Sequence, residues 1–398
     1  MTSVQSVVIA GHVIPSEALH DVLPVVERHA GEVDRAARYP AEALDALRSV
    51  GALSWLIPIE FGGEGLGLDQ IADVTCELAR RCASTGMIFA MHQIQVACLV
   101  RHGLQSLWVR NYLRRIAREQ RLLASATSEV GVGGNVRESI ACLTPVGTAS
   151  SQVLKFEKKA TTVSYGAYAE GLLTTLRRAP DADSGDQVLV ATDLSETTLE
   201  QTTEWDTLGM RGTCSPGFVV RAKCRVDQVL PAPFSTISAE TMVPVSHILW
   251  SHVWLGIAAD AFDRAQSFVR QQARQNTGTV PPTASKLSEL SVRLDQFHNL
   301  VNASTSEYLA CADGEDRDKL STIGFAIHIN NLKIAASEAV VEICAGALRI
   351  CGILGYKNNG PYSVGRHLRD SHSGALMVAN DRLQATNAAL LLVHRDPR

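Results

Sequence analysis

The sequence predicts an α+β protein, mostly α, in which a β domain separates two helical domains. Helix-periodic apolar residues fill about the first 120 positions, short alternating runs rich in Thr, Val, Ser and Gly follow, and four long helix-periodic segments end the chain. We therefore place an N-terminal helical domain at 1–121, a β domain at 122–232 and a C-terminal four-helix bundle at 233–398.

Particular segments support each domain. In the N-terminal domain, 67–85 and 85–103 are apolar on several sides, which is typical of helices buried between neighbours. Strand character appears in four runs of the β domain, at 155–167, 172–178, 187–194 and 217–226. The four bundle helices are predicted at 242–275, 283–312, 319–352 and 371–393.

Composition bears on partners and location. The 398-residue chain has a net charge of −4, which favours neither a nucleic acid nor an anionic membrane. It has no run of eighteen apolar residues, so no membrane span is predicted. The first 17 residues lack the features of a signal peptide, and we interpret them as an irregular arm. The nine cysteines form no Cys-x-x-Cys pair, so neither zinc nor a disulfide framework is indicated and a cytoplasmic location is expected.

The glycine-rich stretch 126–136, ATSEVGVGGNV, raises the first question about function. It lacks the third glycine and the following helix of a dinucleotide-binding fingerprint, and it lacks the Gly-Lys-Ser/Thr of a phosphate-binding loop. By itself it predicts a wide loop between two strands.

Four blocks in fixed order nevertheless resemble the acyl-CoA dehydrogenase family of flavoproteins, over about 17–392. The first block, SEVGVGGN, is similar to the family's Thr-Glu-Pro-x-x-Gly-Ser-Asp loop. The resemblance implies that Thr127 and Ser128 bind the flavin. It also implies that Gly133 and Gly134 let the backbone approach the flavin, and that Gly134 contacts an acyl thioester substrate.

The second block, 158–173, resembles a family strand whose threonine bonds the flavin N5. Ser164 falls at that position, and Thr162 replaces the aromatic residue that usually covers the flavin ring. The third block, 204–220, follows the family pattern closely. It implies that Arg211 supports the fold and the substrate pocket wall, because a guanidinium can bond several backbone carbonyls at once.

The fourth block, 349–377, resembles the region that touches the flavin of a neighbouring subunit, which implies a homodimer or homotetramer. Arg274 matches an arginine that reaches the flavin pyrophosphate, a group that arginine pairs bidentately. We therefore expect FAD rather than FMN, although Thr277, Ser285 and Arg349 depart from the family pattern.

The family's catalytic carboxylate is missing from both places where members carry it. The glutamate that usually follows the Arg-Asp pair by eight residues is Val378, which the resemblance places at the substrate, and the alternative position on the first bundle helix falls near Ser246. Asn380 matches a neighbouring threonine and is expected to contact the flavin. Losing a general base typically costs about 10²–10⁴ in rate.

Other groups could move a proton, and each also has an ordinary structural interpretation. They are His247, His252, His372, Asp381 and Glu129. None of them is favoured over its structural interpretation, so the catalytic residues stay unassigned.

Three functions remain open. The preferred one is an FAD-dependent oxidoreductase that acts on an acyl-CoA or related thioester and uses O2, as an oxidase or monooxygenase. The second is an ordinary acyl-CoA dehydrogenase that passes electrons to an electron-transfer flavoprotein. The third is a flavin-binding or scaffold protein without catalysis.

Overall fold

The computed structural model describes residues 16–147, 152–275 and 278–395. Most of the predicted arm, and Thr277, lie outside these ranges. The N-terminal domain is helical, as predicted, and contains α1 (Ser16–Ala36), α2 (Ala41–Ser49), α3 (Leu68–Arg81), α4 (Ala83–His102) and α5 (Leu107–Glu119).

Helix α4 is the core of this domain. It is buried on nearly every side, and its His92 is fully buried as well. The Leu123 N–H donates to Nδ1 of His92, so this ring is neutral and its Nε2–H donates to the Leu53 carbonyl at 2.7 Å. The imidazole therefore joins the helical domain to the first strand of the β domain.

Two helical stretches are long and apolar enough to cross a membrane by length and composition. They are Ala83–His102 and Phe234–Gln275. In this structure, 89% and 83% of their apolar windows are buried inside the protein, as in the core helices of a globular domain.

The β domain contains two sheets, built from β1 (Leu123–Ala126), β2 (Thr144–Pro145), β3 (Val153–Ala160), β4 (Gly171–Arg177), β5 (Gln187–Asp193), β6 (Thr197–Gln201) and β7 (Phe218–Arg225). One sheet has the order β1-β4-β5, with β1 parallel to β4, and the other is antiparallel with the order β2-β3-β7-β6. The four predicted strand runs correspond to β3, β4, β5 and β7.

The C-terminal domain contains α6 (Phe234–Ile237), α7 (Val243–Gln275), α8 (Ala284–Ala312), α9 (Ile323–Cys351), α10 (Ile353–Tyr356), α11 (Gly365–Ser371) and α12 (Asn380–Leu391). The first three predicted bundle helices correspond to α7, α8 and α9.

The prediction of one long fourth helix over 371–393 is wrong, because turns occupy the residues between α11 and α12. A Cβ built on Gly374 would lie 3.0 Å from the Cβ of Ser337, so this turn packs tightly against α9. Val378 then adopts a positive φ of 47°, which a helix does not allow. The interruption places residues 378–380 against α9 instead of on a regular helix.

Candidate functional site

The glycine-rich stretch 126–136, here called the glycine loop, lies between the end of β3 and the start of α12. The Ser128 hydroxyl donates to the Thr162 carbonyl at 3.0 Å and accepts from the Thr162 N–H at 3.2 Å. At the far side of the loop, the Arg382 guanidinium donates to the Gly133 carbonyl. A Cβ on Gly134 would lie 2.8 Å from that guanidinium, so a larger residue would displace the Arg382 side chain from the loop.

The exposed part of this loop presents backbone donors. Gly133 and Gly134 have positive φ angles of 58° and 77°, and both are exposed. Within the described part of the chain their N–H groups make no hydrogen bond. The pyrimidine edge of a flavin carries acceptor oxygens and nitrogens. Free N–H groups in this loop therefore fit that edge.

The buried side chain of Glu129 holds the glycine loop in place. Its buried carboxylate accepts from the Ser139 hydroxyl at 2.7 Å and from the N–H groups of Ile140 and Ala141 at 3.2 and 2.7 Å. The Nζ of Lys158, another buried group, lies 3.5 Å away. The carboxylate is thus engaged in holding the loop, and its contacts support the structural interpretation of this candidate. The carbonyl of half-buried Thr127 accepts from Lys158 at 3.5 Å.

A series of polar contacts runs from Ser164 to the bundle. The Ser215 hydroxyl donates to that of Ser164 at 2.9 Å, and Thr213 contacts Ser215 at 2.9 Å. Thr213 donates to the Met210 carbonyl at 2.8 Å, and the Met210 N–H donates to Asp370 at 2.6 Å. The second, third and fourth sequence blocks therefore meet here, and Ser164 is held at the junction of the β domain and bundle.

Arg211 and Arg369 fasten this junction to α1. Arg211 donates to the carbonyls of Asp34 and Thr207 at 2.9 and 2.7 Å. Arg369 pairs with the carboxylate of Asp34 through both terminal nitrogens, at 2.8 and 2.5 Å. The guanidinium of Arg211 thus bonds two backbone carbonyls, while its contact with a substrate stays a prediction.

The segment 378–380 forms the bundle side of the site. Val378 is half-buried, and a β-branched residue with positive φ is a strained outlier that its surroundings must hold in place. Lys333 of α9 supplies the restraint. Its Nζ donates to the Val378 carbonyl at 3.2 Å and to Oδ1 of Asn380 at 2.7 Å.

Sequence reasoning did not identify Lys333. It is fully buried, and burial lowers the pKa of its ammonium to about 8. On its face of α9, Ile329 and Ala336 are buried and apolar, whereas Asn330 and Ser337 are buried and polar. The sequence around Lys333 therefore contains no signal that marks it as a buried charge.

The candidate proton-transfer groups do not converge. His247 and His252 are buried, and each directs Nδ1 at a backbone carbonyl, that of Ile329 at 3.1 Å and that of Ile248 at 2.9 Å. Burial lowers the pKa of both imidazoles to about 4, so both rings are neutral near pH 7. His372 and Asp381 are exposed. Their catalytic roles stay hypotheses.

Arg274 lies in the last turn of α7 and is exposed. Ser285, near the start of α8, is exposed too and hydrogen-bonds the Pro282 carbonyl at 3.4 Å. A phosphate contact by Arg274 stays a prediction.

Comparison with known proteins agrees with this arrangement. The family model "Acyl-CoA dehydrogenase, N-terminal domain" matches residues 22–120, and "Acyl-CoA dehydrogenase, C-terminal domain" matches residues 239–378. Together the two matches cover more than half of the chain.

Individual relatives cover most of the chain. A "Probable FMNH2-dependent monooxygenase SfnC" from Pseudomonas putida is 24% identical over 326 residues, 79% of this chain and 78% of the relative. A "Dibenzothiophene monooxygenase" from Rhodococcus erythropolis is 25% identical over 361 residues, 81% of this chain and 80% of the relative.

Among solved structures, FMN-bound TdsC from Paenibacillus sp. A11-2 superimposes with a TM-score of 0.80 at 20% identity, covering 96% of this chain and 98% of that one. Such a likeness establishes the fold. From the family matches, the shared fold and the meeting of the four sequence blocks, the chain belongs to the acyl-CoA dehydrogenase family of flavin-dependent oxidoreductases.

Proposed function

We propose that this protein is a flavin-dependent monooxygenase that transfers one oxygen atom of O2 to a small organic substrate. The observation that carries the proposal is the composition of the wall where the family has its base. Val378 is apolar, and Ser246 in α7 is buried and uncharged. Neither residue can abstract the α-proton of a thioester, whereas oxygen transfer does not require that step.

A reduced flavin bound here would supply the two electrons with which one atom of O2 enters the substrate and the other leaves as water. The two relatives with monooxygenase names support this chemistry.

The chain's own residues bind and orient. Ser128, Ser164 and the N–H groups of the glycine loop would bind the flavin edge. Arg382 and the apolar Val378 close the bundle side of the site. The bonds of Ser164 to Ser215, and onward to the bundle, fix its hydroxyl before any ligand arrives, which lowers the cost of ordering it.

The identity of the flavin is part of the proposal. The sequence favoured FAD because of Arg274. We infer FMN instead, because one relative is named for FMNH2 and the TdsC structure holds FMN. Titrating the apoprotein with FMN and FAD in parallel, followed by protein fluorescence, decides between them. Tighter binding of FAD would restore the sequence expectation.

The substrate of the preferred reaction is a small molecule that an oxygen atom can be added to, such as a sulfur or nitrogen heterocycle. Dehydrogenation of a thioester is the second candidate, favoured by the family matches at both ends of the chain. Activity on a short acyl-CoA separates the two, because desaturation by the wild type would favour the second candidate. Desaturation by Val378→Glu alone would show that position 378 faces the substrate and that the wild type lacks the base.

Flavin reoxidation is the first experiment. The protein is loaded with flavin, reduced without oxygen and mixed with air-saturated buffer while the yellow absorbance is followed. Fast return of the oxidised spectrum is expected of a monooxygenase. Slow return, together with fast electron transfer to an external acceptor, would overturn the proposal in favour of a dehydrogenase. Failure to bind either flavin would leave a scaffold protein.

Assembly into a homodimer or homotetramer is also proposed, because the resemblance implies a flavin site shared between subunits. Sedimentation of the flavin-loaded protein tests this point. A monomer that retains all its flavin would contradict it.

A further inference from the structure

Lys333 is a buried charge without a countercharge. Lysine is almost never fully buried unless it is paired, yet Lys333 is fully buried. Its hydrogen-bond acceptors, the Val378 carbonyl and Oδ1 of Asn380, are both neutral. Among the residues that the structure describes, no carboxylate forms an ion pair with it.

The surroundings of Lys333 on α7 do not supply a negative charge either. Its Nζ lies 5.9 Å from the ring centroid of Trp254, a contact that attracts a cation weakly. The Trp254 indole N–H is itself buried and has no acceptor in the described part of the chain. His247 of α7, which contacts the Ile329 carbonyl of α9, has a pKa of about 4 and is neutral near pH 7. The carboxylate of Asp260 on α7 is paired with Arg264 and His367.

The bonds of Lys333 also fix an amide. An ammonium can only donate, so Oδ1 of Asn380 must face Lys333 and its NH2 group must point the other way, where it donates to Ser337 at 3.1 Å. Residues 378–380 are thus held at two points by one positive charge. Arg382, two residues further on, meets the glycine loop at the Gly133 carbonyl, so this charge stands directly behind the bundle wall of the site.

Compared with the family pattern, the bundle wall of the site has a positive charge in place of a negative one. The resemblance places a carboxylate at position 378. This chain has Val378 there, with the ammonium of Lys333 behind its carbonyl. An unpaired buried charge costs stability, and an anion bound in the adjacent site would offset that cost. The ring of reduced flavin loses a proton near neutral pH and becomes an anion, whereas the oxidised ring is neutral.

We propose that Lys333 gives this site a preference for reduced, anionic flavin over oxidised flavin, acting through residues 378–380 as a positioning residue. The inference rests on the flavin-dependent function proposed above. It gives a role to a buried lysine at a position where methionine would pack without a charge. A site that binds the reduced form more tightly holds the flavin until O2 has reacted and releases the oxidised form.

The test compares two replacements of Lys333. Lys333→Gln retains an N–H donor for the Val378 carbonyl and removes the charge, whereas Lys333→Met removes both. Lys286→Gln, at an exposed lysine of α8, is the matched control. The dissociation constants of oxidised FMN and of dithionite-reduced FMN are measured separately, the latter without oxygen. The affinity of sulfite for the bound oxidised flavin is a second readout, because the adduct is also anionic.

In the wild type and in Lys286→Gln, reduced FMN is expected to bind more tightly than oxidised FMN. At an effective dielectric constant of about 20, a unit charge within about 10 Å of an anion shifts such a preference by about tenfold or more. Lys333→Gln should lose about that factor for reduced FMN and for sulfite, with oxidised FMN within about twofold of wild type.

The negative outcomes are distinguishable. If the wild type binds neither form of FMN or FAD, the proposed function fails. If it binds them, and Lys333→Gln leaves both the preference and the sulfite affinity unchanged, the role of Lys333 is overturned while the proposed function stands. An effect of Lys333→Met alone would assign the role to hydrogen bonding and would also overturn the proposal. Lys333→Gln decides the matter if the methionine variant does not fold.

Discussion

Two fully buried lysines lie behind opposite walls of the candidate site, and the protein holds them differently. In the β domain, Lys158 lies 3.5 Å from the carboxylate of Glu129 and donates to the carbonyl and hydroxyl of Thr175 at 2.8 and 2.9 Å. In the bundle, Lys333 has two neutral acceptors and no carboxylate among the described residues. The Lys158 charge is neutralised locally, and we propose that the Lys333 charge acts on the site.

The difference shows that burial alone does not reveal the task of a charged group. Burial lowers the pKa of both ammonium groups to about 8, so both are mostly protonated at pH 7. Lys158 belongs to a closed structural pair that holds the glycine loop in place through Glu129. Lys333 has no carboxylate partner within the described ranges, and we propose that its field therefore acts on the site.

The largest expected effect is the loss of the closed pair. Lys158→Met leaves the Glu129 carboxylate buried without its cation, and breaking a buried pair in this way typically costs about 3–5 kcal/mol. Urea denaturation at pH 7 measures the loss. The double variant Lys158→Met, Glu129→Gln removes both charges and should recover a large part of it. A loss below about 1 kcal/mol in the single variant would show that the pair is not closed.

A pH dependence of stability is the next largest effect. The pKa of Lys333 is about 8 in the folded protein and 10.5 for an ordinary lysine. Between these two pKa values the unfolded chain holds the Lys333 proton and the folded chain does not. The contribution of Lys333 to the free energy of unfolding therefore rises with pH across this window and is constant below it. The wild type should therefore gain up to about 3 kcal/mol relative to Lys333→Met from pH 8 to 10.5. If the free energies of unfolding of the two proteins changed equally with pH across this range, the assignment of Lys333 as a buried, unpaired charge would be contradicted.

Much of the architecture could be predicted from the sequence, because the helical and strand patterns were long and regular. The fourth bundle helix was mispredicted at the residues that matter most for the site. The periodicity of apolar residues does not predict that Gly374 packs against Ser337 or that Val378 has a positive φ. Both follow from the tertiary contact with α9, which no local pattern contains.

The two lysines differed in how visible they were. Lys158 and Lys159 are neighbours on a strand, so one of them must face inward, and alternation alone could have indicated a buried lysine. On α9, Lys333 lies between apolar residues, and nothing local distinguishes a buried lysine from one that reaches solvent along its aliphatic stem. Its partners, Val378 and Asn380, are more than forty residues away in the sequence.

A smaller effect is expected from the β-domain wall, and it tests whether the two walls act by different forces. Ser164→Ala removes a neutral hydrogen bond worth about 0.5–1.5 kcal/mol. It should weaken oxidised and reduced flavin to a similar extent and leave their ratio unchanged. Ser306→Ala, at an exposed serine of α8 outside the wall, is the control. Unchanged affinity for both forms would remove Ser164 from the flavin site.

The smallest expected effect separates the two lysines most directly. Lys333→Met loses two hydrogen bonds, to the Val378 carbonyl and the Asn380 amide, but it also removes the cost of burying an unpaired charge. These contributions oppose each other, so the free energy of unfolding at pH 7 should stay within about 1 kcal/mol of wild type. Urea denaturation of Lys333→Met and Lys158→Met under the same conditions compares the two stability losses directly. An equally large loss in both variants would mean that Lys333 is a structural group like Lys158. A near-neutral result, together with a lost preference for reduced flavin, would mean that the bundle lysine is kept for its charge.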